Sequence, residues 1–309
     1  MSYIVEKILT KDLGCETVDG LSFWNKPSLL TAYTERDGTN LCYLQVTDKG
    51  KVVAVMAIIE KMMYGITYIS QAHEQFYTSI DIFLPNEQNI HSAEFERNSI
   101  YKAIAWFLKK HYCKIHLNLD YHTIDIRPFL WAGYKAKPQY TYVVSPGKYS
   151  KNDLTQSIRA EIKKGENNEL YVSENWDLSV CEVLSQELAT RKNRAFRQTE
   201  KQYHAFWDSL HTAGLCEMAT VYQKDTPLTF FITLIDHQIK NLYTLSIATS
   251  ELGVKLKSSI YCYDNLFQKY KDFSRFDLSG ANVENIAYFK SKFNSTLVPY
   301  FRIEKDMWR

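Results

Sequence analysis

The residues whose types and spacing best suit chemistry lie in 275–300, RFDLSGANVENIAYFKSKFNSTLVPY. Phe276 to Ser279 reads as a short apolar strand closing on Gly280. Asn282 is placed to cap a helix that carries Ile286, Phe289 and Phe293 at helical spacing, and a second strand starts at Leu297. A strand, a turn and a helix with Lys290 on its last turn is one way to hold a positive charge over a cleft. The same spacing also describes an ordinary βαβ unit with a solvated lysine. Asp277, Tyr243 and Tyr300 are candidates for proton transfer at such a cleft, and spacing alone does not separate them.

A second stretch is 250–258, SELGVKLKS, between a strand and a long helix. The start of a helix offers unpaired amides and a positive partial charge, which suits an anion. Gly253, Val254 and Ser258 lie in this turn, and Lys255 and Lys257 add direct charge. A capped helix with solvated lysines fits the residues as well. Arg191, Arg194 and Arg197 are candidates to grip a phosphate or carboxylate of an acceptor, because guanidinium forks suit both.

Several chemistries lack their motifs. The chain contains no GxGxxG, GxxxxGK[ST], GxSxG or HExxH. Its six cysteines are scattered without a CxxC, and His204 and His211 are too far apart to share a metal, so no metal is expected. A metalloenzyme, a P-loop NTPase and a serine hydrolase are disfavoured. A net charge of +2 makes no demand for nucleic acid or an anionic membrane. No apolar run approaches the roughly 18 residues of a membrane span, and the N-terminus lacks a signal peptide. The expectation is a cytoplasmic protein with reduced thiols.

The elements that must position these residues form a repeated pattern. Strands are read at 41–47, 51–60 and 63–70, with Asp48-Lys49-Gly50 as a hairpin turn. A helix at 97–112 carries Ile100, Ile104, Phe107 and Leu108 on one stripe, followed by a strand at 114–119, a short helix and a strand ending near Val144. Asp153 is read as the cap of a helix that ends at Gly165, and 176–190 and 199–213 as two further helices. A meander at 215–222, 228–235 and 240–247 precedes the helix after Gly253. Ser145-Pro146-Gly147 is the best boundary, dividing the chain into 1–146 and 147–309. The fold class is α/β with a mixed sheet in each half.

The run FDLSG, FKSKF, VPY resembles the C-terminal signature of the FemABX-like acyltransferases, which are built from two tandem GNAT-like (N-acetyltransferase) domains. FWNKPSLLTAY at 23–33 and RPFLWAGY with YTYVV at the end of the first half are similar to phrases of the same group. Thr34, Glu35 and Arg36 stand where some members carry a phosphate-binding lysine. The resemblance implies that Lys290 lies where the donor's carbonyl oxygen gains negative charge, with Phe289 and Phe293 fixing its stem. It also implies that 250–258 binds the pyrophosphate of an acyl-CoA (acetyl-CoA). The acetyl-CoA pattern wants two glycines and an Arg or Gln where this chain has only Gly253 and Ser250.

The acceptor implied is an amine or hydroxyl of a cell-envelope or polysaccharide precursor, a small molecule or glycan or peptide piece. Nucleic acid is not expected as a partner except as aminoacyl-tRNA. Members taking that donor commonly carry a long helical-hairpin arm, whereas 176–213 reads as two ordinary helices, so acyl-CoA is the expected donor. A non-catalytic binding protein on a degenerate scaffold is the alternative from another class.

Overall fold

A computed structural model describes residues 3–84, 89–193 and 199–306. Along the chain come β1 (Ile4–Ile8), α1 (Cys15–Asp19), α2 (Pro27–Asp37), β2 (Asn40–Asp48), β3 (Lys51–Met63), β4 (Ile66–Ser70) and β5 (Asp81–Ile82). They are followed by α3 (Ile90–His111), β6 (Ile115–Leu119), α4 (Arg127–Trp131) and β7 (Lys135–Val144). Next are α5 (Gln156–Asn167), β8 (Leu170–Ser173), α6 (Leu178–Arg191), α7 (Glu200–Thr212), β9 (Cys216–Gln223), β10 (Thr226–Asp236) and β11 (Asn241–Thr249). Then α8 (Glu251–Leu256), α9 (Ser258–Lys269), β12 (Arg275–Asp277), α10 (Glu284–Ser291) and β13 (Thr296–Lys305) close the order.

The chain falls into two units, Met1–Gln139 with Pro299–Arg309, and Tyr140–Val298. The sequence reading places the division at 146/147. In the structure β7 begins in the first unit and ends in the second, and β13 runs back into the first. Strand order in the first unit is β1-β2-β3-β4-β6-β13 with β5 against β3, antiparallel except for β4 beside β6. In the second it is β7-β12-β11-β10-β9-β8, antiparallel except for β11 beside β12. Each sheet closes a core of its own. Leu44, Ile58, Ile104, Leu117 and Ile303 are fully buried or nearly so in the first, and Ile158, Phe231, Phe267, Phe276 and Phe293 in the second.

Local chemistry explains most boundaries. Lys49 and Gly50 both take positive φ, +49° and +80°, so β2 and β3 meet through the two-residue turn whose twist matches a hairpin. Pro27 opens α2, where its missing N–H costs nothing, and Gly38 closes the helix in the left-handed conformation. Other boundaries differ from the sequence reading. Met63 ends β3 rather than starting the next strand. Thr155, not Asp153, caps α5 by accepting from the Ile158 amide, and the helix runs through Gly165. A Cβ at 165 would come within 2.7 Å of the Tyr261 ring, so this glycine serves helix packing rather than helix termination. Asn282 does not cap α10; its Oδ1 accepts from the Tyr140 amide at 2.9 Å, and Val283 holds the cap position.

Candidate functional site

The chemistry-bearing side chains of the second unit gather where β12 ends. β12 pairs with β11 through only three residues, Asn241 with Arg275, Leu242 with Phe276 and Tyr243 with Asp277. β11 then continues to Thr249 beyond that pairing, so Asp277 closes the parallel pair at its carboxyl end, the position at which α/β sheets commonly bind ligands. On the other side β7 holds the turn after β12. Leu278 and Ala281 donate to the Tyr142 and Tyr140 carbonyls, each at 2.8 Å.

Asp277 is fully buried. Its Oδ1 accepts from the Thr141 hydroxyl and from the Ser279 amide at 2.8 Å. Ser279 and Gly280 both take positive φ, +55° and +40°, which turns their carbonyls together toward α10. Lys290, 9% exposed on the last turn of α10, donates from Nζ to the Ser279 carbonyl and to the Gly280 carbonyl at 2.9 Å. Two of its three protons are therefore spent, and no described residue takes the third. Burial pushes the Lys290 ammonium down to about 8, and the negative Asp277 acts against that shift.

The aromatic residues beside Lys290 fix its helix. Phe293 is fully buried, with ring centroids 5.4 Å from Phe289 and 5.0 Å from Tyr263. The FKSKF spacing thus places two rings into the core and aims the lysine between them at the turn. Tyr243, 2% exposed, stands directly across the ladder from Asp277. The structure brings Lys290, Asp277, Tyr243 and Phe289 into one neighbourhood. Tyr300 belongs to the first unit, with its ring 5.1 Å from Tyr77.

The second stretch sits at the far end of β11, six residues beyond Tyr243 and so roughly 20 Å along the strand. Ser250 caps α8 by accepting from the Gly253 amide at 3.0 Å. The Glu251 amide donates to the Glu187 carboxylate at 2.8 Å, so an acidic side chain holds the first amide of this turn. Gly253 has a packing reason as well, since a Cβ there would come within 2.5 Å of the Leu228 carbonyl and 2.7 Å of Ser258 Oγ. Ser258 is fully buried on Thr229 Oγ1 and the Gly253 carbonyl.

Val254 is exposed, Lys255 pairs with Glu251 at 2.8 Å, and Lys257 takes φ +61° between α8 and α9 with Glu161 at 3.8 Å. Arg191 donates to the Thr249 carbonyl at 2.7 Å. Arg194 lies outside the described residues, as does Arg197. Sequence reasoning missed Thr141, Ser279 and Glu187. Thr141 and Glu187 act on partners 60 or more residues away, and Ser279, though inside FDLSG, acts through its backbone carbonyl, which no side-chain pattern marks.

No family model matches the chain, and no curated protein matches it by sequence. Solved structures do match. FemX superposes with a TM-score of 0.67 at 12% identity, covering 96% of each chain. L-PGS from Bacillus licheniformis gives 0.55 at 11% identity, covering 92% of this chain and 93% of that one. A tandem GNAT protein from the clavulanic acid biosynthesis pathway gives 0.55 at 8% identity over 98% of both. With the strand orders above, these likenesses identify the architecture: the chain carries the FemABX-like, tandem GNAT-like α/β fold.

Proposed function

We propose that the protein is a transferase that moves an acyl group from an activated ester to an amine or hydroxyl, with the second unit as its chemical centre. The observation that carries this reading is Lys290, a buried ammonium whose third proton no described residue takes, held at the turn that follows the β11–β12 pair. The acceptor nitrogen or oxygen attacks the ester carbonyl carbon, and the carbonyl electrons move to its oxygen. The third Nζ proton of Lys290 stabilises that oxyanion. The carbonyl re-forms as the bond to the leaving sulfur or oxygen breaks, and the acceptor's proton ends on the leaving group. Asp277 serves by keeping Lys290 positive, and Tyr243 is the candidate to relay the proton. Phe289 packs beside the lysine at the acyl position.

Two donors supply the same ester chemistry, acyl-CoA and aminoacyl-tRNA. A CoA diphosphate would use the turn of Gly253, Val254, Lys255, Lys257 and Ser258, with Arg191 and Arg194 as the candidates for acceptor anions. Glu187 on the Glu251 amide opposes an anion there, which favours the tRNA ester. The acceptor class proposed is a cell-envelope or polysaccharide precursor. Thermal unfolding with CoA and a series of acyl-CoAs tests the donor. With aminoacyl-tRNA as donor, the midpoint stays fixed for every CoA compound, and wild type transfers radiolabel from charged tRNA. A clear upward shift with an acyl-CoA, larger in Glu187→Gln, would instead place the diphosphate at this turn.

A second reading has its own observation. Two of the Lys290 protons tie down carbonyls of residues held at positive φ, which is what a purely structural lysine would do. On that reading the protein binds a ligand without turning it over.

A further inference from the structure

The first unit presents a face that the transferase reading does not use. α3 carries an exposed stripe with Phe95 (62% exposed) and Trp106 (46%). Beside it, Trp131 of α4 is 62% exposed, Leu130 43%, and Ile124 in the preceding loop 79%. Contacts of Lys109 and Arg127 bring α3 and α4 together at this surface. Lys109 Nζ donates to the Ala132 carbonyl at 2.7 Å while lying 4.9 Å from the Trp106 ring. Arg127 lies 5.8 Å from the Trp131 ring and 3.6 Å from Glu94, one residue from Phe95.

Beyond Glu94 and Glu96 on its first turns, the charge of α3 is positive. From Arg97 to Leu119 the chain carries five bases (Arg97, Lys102, Lys109, Lys110 and Lys114) and no Asp or Glu. Glu94 and Asp125 at its edge are both paired with Arg127. Lys102 and Lys110 are exposed on α3, four residues to either side of Trp106. Indole rings with one apolar and one polar edge, exposed aliphatic side chains, and lysines on the same helix face suit the headgroup region of an anionic bilayer. Exposed Leu and Ile argue for lipid over nucleic acid, which would use rings and cations without them.

We propose that the α3–α4 face is a peripheral docking surface for an anionic lipid bilayer, with Trp106 and Trp131 entering the headgroup layer and Lys102 and Lys110 meeting lipid phosphates. The assignment stands on the first unit alone and does not depend on the transferase reading.

Co-sedimentation with vesicles tests it, using phosphatidylglycerol in phosphatidylcholine against phosphatidylcholine alone. The wild-type chain should bind the anionic vesicles and be released by high salt. Lys102→Glu/Lys110→Glu should weaken binding about tenfold or more. Trp106→Ser/Trp131→Ser should also weaken it, with both variants keeping the wild-type unfolding midpoint. Equal binding to both vesicle types, no binding, or binding indifferent to both variants would overturn the proposal. So would a dimer in sedimentation equilibrium that Trp131→Ser dissociates, or binding to tRNA but not to vesicles that the lysine variant abolishes.

Discussion

At the scale of the residue, one buried lysine is held by two backbone carbonyls and shifted by its burial. A lysine lowered to about 8 is mostly charged at neutral pH and mostly neutral by pH 9. If its charge stabilises the oxyanion, the acceptor's own titration aside, the transfer rate should fall as pH rises through about 8. A pH–rate profile with a hydroxyl acceptor, which does not titrate there, reads this directly. The same shift has a signature in stability. The folded chain carries a charge it would rather lose, so burial costs most below pH 8, and the cost fades as pH rises from 8 toward the 10.5 of the unfolded chain. Against Lys290→Met, wild type should therefore gain up to about 3 kcal/mol across that window, seen as diverging urea midpoints. The lysine was legible from the FKSKF pattern because rings and charge there follow helical spacing. Its partners were not, since the Ser279 and Gly280 carbonyls are defined by backbone angles, and Thr141 reaches Asp277 from 136 residues away.

At the scale of the element, glycines show where sequence patterns mislead. Gly253 invites a phosphate-turn reading, yet the Leu228 carbonyl and Ser258 Oγ leave no space for a Cβ. Gly253→Ala should lower stability by about 2 kcal/mol in denaturant unfolding even without any ligand. A variant as stable as wild type would return the glycine to a ligand-binding role. Gly165 gives the same lesson, read as a helix end and found inside α5 under the Tyr261 ring. The amphipathic stripes, the β2–β3 turn and the β9–β11 meander were legible because hydrophobic period and turn chemistry are local. The Asn282 contact was not. A capping residue and one that accepts from a distant strand look alike in sequence.

At the scale of the whole molecule, β7 and β13 each cross the division between the two units, which a linear reading of boundaries does not anticipate. β13 pairs with β6 over five residues from Phe301 to Lys305 and buries Ile303 in the first core. Val143 and Val144 of β7 pair with β12 in the second unit. A fragment cut at 147–309 lacks that β7 pairing and carries a strand belonging to the first unit. It should show broad, poorly dispersed amide resonances, whereas 140–298 should give a dispersed spectrum. The reverse pattern would place the division at Ser145-Pro146-Gly147 after all. The α/β pattern of each half was legible from the repeated order of elements and its tandem GNAT-like character from the FDLSG, FKSKF and VPY resemblance, while the contact of Glu187 with the Glu251 amide is one that no motif records.

The central claim is that the Lys290 charge drives acyl transfer. The most direct measurement is single-turnover transfer from charged tRNA, and from any acyl-CoA that binds, by wild type and Lys290→Ala, with circular dichroism confirming that both are folded. Wild type should transfer measurably, and the variant should lose about a hundredfold or more. Equal rates in the two folded proteins, or no transfer by wild type with either donor, would contradict it and leave Lys290 as the clasp of a strained turn.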